Sequence, residues 1–147
     1  RIEFNETIGN IVVVGDQALI PCEISGPEVS SMIDEIPILA LVCAHTEGVS
    51  IINGLSELRY KESDRYESII QILSKMGVKI SRIRDDGISI YGGFSLYNTN
   101  NLNCHGDHRL AMMISIAQIL SGGDVIYDDC INISFPSFKS MINRILS

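Results

Sequence analysis

The sequence predicts an α/β fold assembled from two copies of one strand–strand–helix–strand–helix unit, and three observations carry that prediction. Short β-branched runs alternate with stretches of helical periodicity, the pattern of sheets covered by helices. Two runs, Ile36 to Ala44 and Leu110 to Leu120, are apolar on nearly every face, so each predicts a helix buried inside the domain. Landmarks then recur: Gly15 and Gly92, Asp34 and Asp107, Gly48 and Gly122, and Ile69-Ile70 and Met141-Ile142 are separated by 72 to 77 residues. The units span about 1–77 and 78–147, and each sets an apolar helix beneath a sheet, so the copies can bury those helices against one another.

In the first unit, Ile2 to Phe4 and Asn10 to Val14 read as short strands separated by Asn5-Glu6-Thr7. Ala18 to Ile24 reads as a third extended piece punctuated by Pro21, and Ser25-Gly26-Pro27 as a loop. A helix begins near Asp34, because Pro37 suits a first turn, where its missing N–H has no intrahelical partner. Gly48 ends it, and Val49 to Ile52 form a strand. The next helix carries Tyr66, Ile69, Ile70, Leu73 and Met76 at helical spacing, with Lys61 to Arg65 at its first turn and Gly77 as a left-handed cap.

The order restarts at Val78. Lys79-Ile80 and Gly87 to Tyr91 give strands, and the Asn-rich loop from Asn98 to Asn103 leads into Cys104-His105-Gly106-Asp107-His108-Arg109. The second apolar helix stops at Gly122-Gly123, and Asp124 to Tyr127 reads as a strand. Ser134-Phe135-Pro136 caps a last helix with Phe138, Met141, Ile142 and Ile145 on one face.

At 147 residues, 46% hydrophobic and 20% charged, the chain has one domain's worth of sequence and can bury a core. A formal net charge of −7 argues against nucleic acid and against an anionic membrane surface as partners. The apolar runs are too short to cross a bilayer and nothing resembles a signal peptide, so the expected compartment is the cytoplasm. Cys22, Cys43, Cys104 and Cys130 form no CxxC pair and read as reduced, mostly buried thiols. The chain opens on Arg1 directly in a strand-like run, which suggests a piece of something longer.

With an acidic whole, any anionic ligand must be held by a local cluster. Lys61-Glu62-Ser63-Asp64-Arg65 offers one. Glu62 and Asp64 suit a first turn, whose free N–H groups attract negative charge, but Lys61 and Arg65 oppose it and call for an anion from outside. Arg109 has the same problem in an otherwise apolar helix, and a bound phosphate or carboxylate would resolve it. Lys61, Arg65 and Arg109 together therefore point to a multiply anionic ligand, with Glu62 and Asp34 as acid–base candidates. Taken singly, Asp34 and Asp107 read as N-caps worth about 1 kcal/mol each, and His45 as a C-terminal cap. Cys104, His105, Asp107 and His108 are the right donor types for a metal, but ligands crowded on one segment rarely close a site alone, so no metal is expected.

Four stretches occur in one order: Ser31 to Ala40 (SMIDEIPILA), Asn53 to Arg65 (NGLSELRYKESDR), Asp107-His108-Arg109, and Ser134-Phe135-Pro136. Together they resemble the C-terminal part of the 5-enolpyruvylshikimate-3-phosphate synthase family, the 3-phosphoshikimate 1-carboxyvinyltransferases, over essentially the whole chain. LRxKESDR and DHR are the specific motifs. The resemblance implies an inverse α/β barrel of two similar domains, each of three βαβαββ-type units with helices inside. This chain would supply about two units of the C-terminal domain, its partner being the N-terminal domain of a monomeric full-length enzyme. It further implies transfer of the enolpyruvyl group from phosphoenolpyruvate to the 5-hydroxyl of shikimate 3-phosphate, without a cofactor, on the way to chorismate and the aromatic amino acids. In that role Asp34 takes the hydroxyl proton, Lys61 helps bind the shikimate, and Glu62 serves carbon 3 of phosphoenolpyruvate. Arg65 and Arg109 hold phosphoenolpyruvate, and His108 supports the site. The chain departs from some members at Ile133, matching a lysine, and at Glu57, matching an asparagine. The UDP-N-acetylglucosamine enolpyruvyl transferases share architecture and donor, but LRxKESDR followed by DHR points away from them. From a different class, the alternative is a non-catalytic anion-binding remnant.

Overall fold

The computed structural model describes residues 2–5, 10–13 and 18–147. In chain order these form β1 (Ile2–Asn5), β2 (Asn10–Val13), β3 (Glu23–Ile24), α1 (Pro27–Ser31), α2 (Ile36–His45) and β4 (Gly48–Ile52), then a 3₁₀ turn at Ser56–Tyr60 and α3 (Arg65–Lys75). There follow β5 (Lys79–Ile83), β6 (Gly87–Gly92), α4 (His108–Leu120), a second 3₁₀ turn at Asp129–Ile133, and α5 (Phe138–Leu146). Val14, Gly15 and the Glu6-Thr7 turn lie outside the described residues.

β1 and β2 form an antiparallel hairpin, with Ile2 opposite Val13. The main sheet has the order β3-β4-β6-β5, parallel only between β3 and β4. β4 belongs to the first half of the chain and β6 to the second, and they pair antiparallel with Ile52 opposite Ile88. α2 packs on β6 and also against α4, so the two apolar helices do meet. Ile36, Leu41, Ile52, Leu55, Leu58, Ile69, Leu73, Met76, Ile88 and Ile90 are fully buried and make one continuous core. α2 is not buried on every side: Ile38 and Val42 are exposed. The close seat of α2 on the sheet depends on Gly92, where a Cβ would run into the carbonyl oxygens of Cys43 and Thr46.

Both long helices begin on a side-chain cap. Asp64 accepts from the Glu67 N–H at 3.0 Å in α3, and Asp107 from the Arg109 N–H at 2.9 Å in α4. They end alike, with Gly77 and Gly122 at φ 89° and 70° turning the chain in the left-handed region. The closing bonds run from Val78 N–H to Leu73 C=O and from Gly123 N–H to Gln118 C=O.

Four expectations need correction. α2 starts at Ile36, not near Asp34; Asp34 lies in the turn that joins α1 to α2, and Glu35 at the N-cap makes no side-chain cap bond. Lys61 and Glu62 precede α3, of which Arg65 is the first residue. Asp124 to Tyr127 joins no ladder, because polar side chains of α4 satisfy its backbone instead: Gln118 Oε1 accepts from the Ile126 N–H at 2.8 Å, and Ser115 Oγ donates to the Ile126 carbonyl at 2.9 Å. Ser137, not Ser134, stands at the start of α5, and Ile145 points outward at 68% exposure while Phe138 and Ile142 are buried.

Candidate active site

The charged residues singled out in the sequence converge where the α1–α2 turn, the segment ahead of α3 and the first turn of α4 meet. Arg65 is at the centre, its side chain only 1% exposed. A guanidinium has five donors in a rigid fork, and here three carboxylates from three segments take three of them. Nε donates to Asp107 Oδ2 at 2.7 Å, one terminal nitrogen to Asp34 Oδ1 at 2.8 Å, and the other to Glu62 Oε2 at 2.5 Å. Burial works against the charge on Arg65, but the hydrogen bonds and attraction of these carboxylates outweigh it and hold the pKa above its usual value.

Asp34 is the common acceptor of three cations. Besides Arg65, it faces Arg109 at 3.4 Å and Lys61 at 4.0 Å. Burial tends to raise its pKa, yet the Arg65 hydrogen bond and the charges of Arg109 and Lys61 hold it below the ordinary carboxylate value. Lys61 is paired more closely with Glu57 at 2.7 Å, a hydrogen bond that raises its pKa. Arg109 reaches Glu35 at 3.2 Å. Its Nε is the one buried side-chain polar atom among the described residues that lacks a partner. His108, half-buried, opens α4 beside Arg109.

The structure thus brings together Asp34, Lys61, Glu62, Arg65 and Arg109. It also alters the reading of the cations, since Lys61 and Arg65 find internal carboxylates and do not depend on an outside anion. Sequence reasoning missed a second role for Asp107. That residue was read as an N-cap, which it is, but its other oxygen binds Arg65 Nε and accepts from Ser63 Oγ at 3.1 Å, with no exposure of the side chain. Burial acts to raise the Asp107 pKa, while the Arg65 hydrogen bond and charge and the α4 amides bring it below the usual value. Nothing in an Asp-His-Arg triplet announces that bond, because its partner is 42 positions away. Asp107 is bound to Arg65 and Cys104 contacts Asp128, and among the described residues Cys104, His105, Asp107 and His108 are not gathered as one ligand group. Ile133 is 76% exposed at the end of the second 3₁₀ turn.

Beside Asp34 and Arg109 opens a groove of about 330 Å³, floored by Pro37, Ile38, Met112, Ile116 and Phe138. Asp34, Glu35 and Arg109 are the charged residues of its otherwise apolar lining.

Comparison with known proteins identifies the lineage of this arrangement. The sequence matches the family model described as EPSP synthase (3-phosphoshikimate 1-carboxyvinyltransferase) over residues 3–142. The chain belongs to the EPSP synthase family. It is 35% identical to the 3-phosphoshikimate 1-carboxyvinyltransferase of Desulforamulus reducens, an alignment covering 99% of this chain and 34% of the relative. With the Leuconostoc citreum enzyme of that name it shares 39% identity over 92% of this chain and 32% of the relative. The fold agrees: EPSP synthase from Acinetobacter baumannii superposes with a TM-score of 0.81 at 32% identity, covering 92% of this chain and 32% of the other. The enolpyruvyl transferase NikO from Streptomyces tendae shares the fold alone, at TM-score 0.57 and 18% identity over 82% of this chain and 26% of the other. The chain therefore spans about a third of the length of the relatives it matches. No helix among the described residues is long and apolar enough to cross a membrane.

Proposed function

We propose that this chain is part of the C-terminal domain of an enzyme that transfers the enolpyruvyl group of phosphoenolpyruvate to the 5-hydroxyl of shikimate 3-phosphate and releases phosphate. Its two repeat units are 1–77 and 78–147, and it works with an N-terminal domain, in the cytoplasm, as a monomer at full length. The supporting observation is Asp34, a carboxylate below its ordinary pKa with Lys61, Arg65 and Arg109 from two other segments around it. An ionised carboxylate is the form that accepts a proton, and surrounding cations are what two anionic substrates need.

In this reading the 5-hydroxyl oxygen bonds to carbon 2 of phosphoenolpyruvate, its proton passes to Asp34, and Glu62 delivers a proton to carbon 3. Carbon 3 then gives a proton back as the carbon–oxygen bond to phosphate breaks, leaving the enolpyruvyl ether. Lys61 helps hold the shikimate, Arg65 and Arg109 the phosphoenolpyruvate, and His108 supports the site beside Arg109. The ion pairs already present set a condition. Five carboxylates, Asp34, Glu35, Glu57, Glu62 and Asp107, pair with three cations, and the three most exposed, Glu57, Glu35 and Glu62, are the ones an incoming anion would compete with. Arg109, with Nε unpaired, is the readiest of the three to accept it.

The test is calorimetric titration with phosphoenolpyruvate and shikimate 3-phosphate, for this chain and for a full-length protein that contains it. Turnover is expected only at full length, because the reacting groups must be held from both sides. In that protein Arg109→Gln should weaken phosphoenolpyruvate binding with the melting temperature nearly unchanged. Normal kinetics with a large loss of stability would overturn the assignment of Arg109.

A further inference from the structure

Away from the charged cluster, two of the four thiols meet a carboxylate. Cys104 lies in the loop before α4, while Asp128 caps the second 3₁₀ turn and Cys130 belongs to it, and their ligand atoms all fall within 4.8 Å of one another. Cys104 Sγ is 3.3 Å from Asp128 Oδ2, and the Cys130 N–H donates to Asp128 Oδ1 at 2.9 Å, which fixes the carboxylate.

The geometry points to a site for one thiophilic divalent cation of the zinc type, bound by Cys104 Sγ, Cys130 Sγ and an Asp128 oxygen. Zinc bonds of about 2.3 Å to sulfur and about 2.0 Å to oxygen place tetrahedral ligand atoms about 3.5 to 3.8 Å apart, so the present spacing, within 4.8 Å, has to close by no more than about 1 Å. Two sulfurs with one carboxylate select zinc over magnesium or calcium, which prefer all-oxygen shells. The ligands come from two segments, so the ion would close a loop between the start of α4 and the turn after it. Cys104 is buried, Cys130 half-buried and Asp128 exposed, which gives an ion a way in and leaves a fourth position for water. Cys104 C=O accepts from the Asp107 N–H at 2.9 Å, so such an ion would steady the turn that carries Asp107 toward Arg65.

Cobalt(II) is the probe, since thiolate coordination gives it a sulfur-to-metal charge-transfer band and four-coordinate visible bands. Reduced, metal-free chain titrated with Co²⁺ should develop both at one equivalent, zinc should bleach them at one equivalent, and zinc alone should raise the melting temperature. Asp128→Asn, a surface change that leaves both thiols in place, should weaken zinc by at least the roughly tenfold typical of losing a supporting group. Cys104→Ser with Cys130→Ser should abolish the band, while Cys22→Ser should retain it. Absence of the band in the reduced wild-type chain, unchanged affinity in Asp128→Asn, or loss of the band in Cys22→Ser would each overturn the site. The enolpyruvyl reading stands or falls separately.

Discussion

Arg65 and Asp107 meet through a 2.7 Å bond in which neither side chain reaches solvent, and that bond ties the first residue of α3 to the N-cap of α4. The other Asp107 oxygen caps α4, so one carboxylate fixes the starts of both helices. Asp107→Asn keeps the size and a capping oxygen but removes the charge that compensates Arg65. Breaking a buried pair from one side should cost about 3 kcal/mol, measured by urea unfolding of the chain. A loss no larger than that of a surface cap would show that Asp34 and Glu62 suffice for Arg65.

Acid should act on the same bond. The folded-state pKa values of Asp107 and Asp34 lie below the ordinary 3.8, so folding favours their ionised forms. Their stabilisation is complete above the unfolded value and is lost as pH falls through 3.8 toward the depressed folded values. Melting temperature should hold from about pH 6 to about pH 5 and then fall steeply, with a shallower fall in Asp107→Asn. Parallel curves for the two proteins would remove Asp107 from this linkage.

Gly92→Ala tests the seat of α2 on the sheet. The added methyl would meet backbone carbonyls of Cys43, Ala44 and Thr46, and backbone cannot rotate aside as a side chain can. The expected loss is about 3 kcal/mol, at the upper end for overpacking. Gly106→Ala, with open space around its Cβ, should cost less, only what its φ of 72° demands. Equal losses at the two positions would mean that the helix can lift from the sheet cheaply.

Glu62 carries the functional prediction. It binds Arg65 here, although its side chain is half in solvent, and proton delivery to carbon 3 requires it to leave that bond protonated. In a full-length protein Glu62→Gln should keep substrate affinity and lower kcat by about 10²–10⁴. Solvent deuterium should enter the methylene of phosphoenolpyruvate correspondingly slowly. Undiminished exchange would assign the proton to another group.

The elements whose signal is local were legible. The apolar runs from Ile36 and from Leu110 gave helices with a buried face, and Asp107, Gly77 and Gly122 announced helix ends through signals that act within a turn of themselves. Asp124 to Tyr127 misled because a β-branched run specifies a strand only when a ladder partner exists, and Gln118 and Ser115 took its peptide groups first. The site was legible as a set of charges but not as a set of pairs. Lys61 and Arg65 were read as opposing a helix start and awaiting a ligand, because the carboxylates that receive them, Asp34 and Asp107, are brought near only by tertiary packing.

The pairing of β4 with β6 governs the order in which this chain can assemble. β4 is finished at Ile52, whereas its antiparallel neighbour begins at Gly87, so during synthesis one apolar edge of β4 must wait while α3 and β5 are made. β5 and β6 can zip locally across the turn at Arg84 to Asp86, and the slow step is then the docking of that ready-made hairpin on β4. Until it docks, the waiting Gly-Val-Ser-Ile-Ile edge is a template for the same strand of another copy. Misassembly should accordingly grow with protein concentration during refolding and vanish once residues 87–92 are in place.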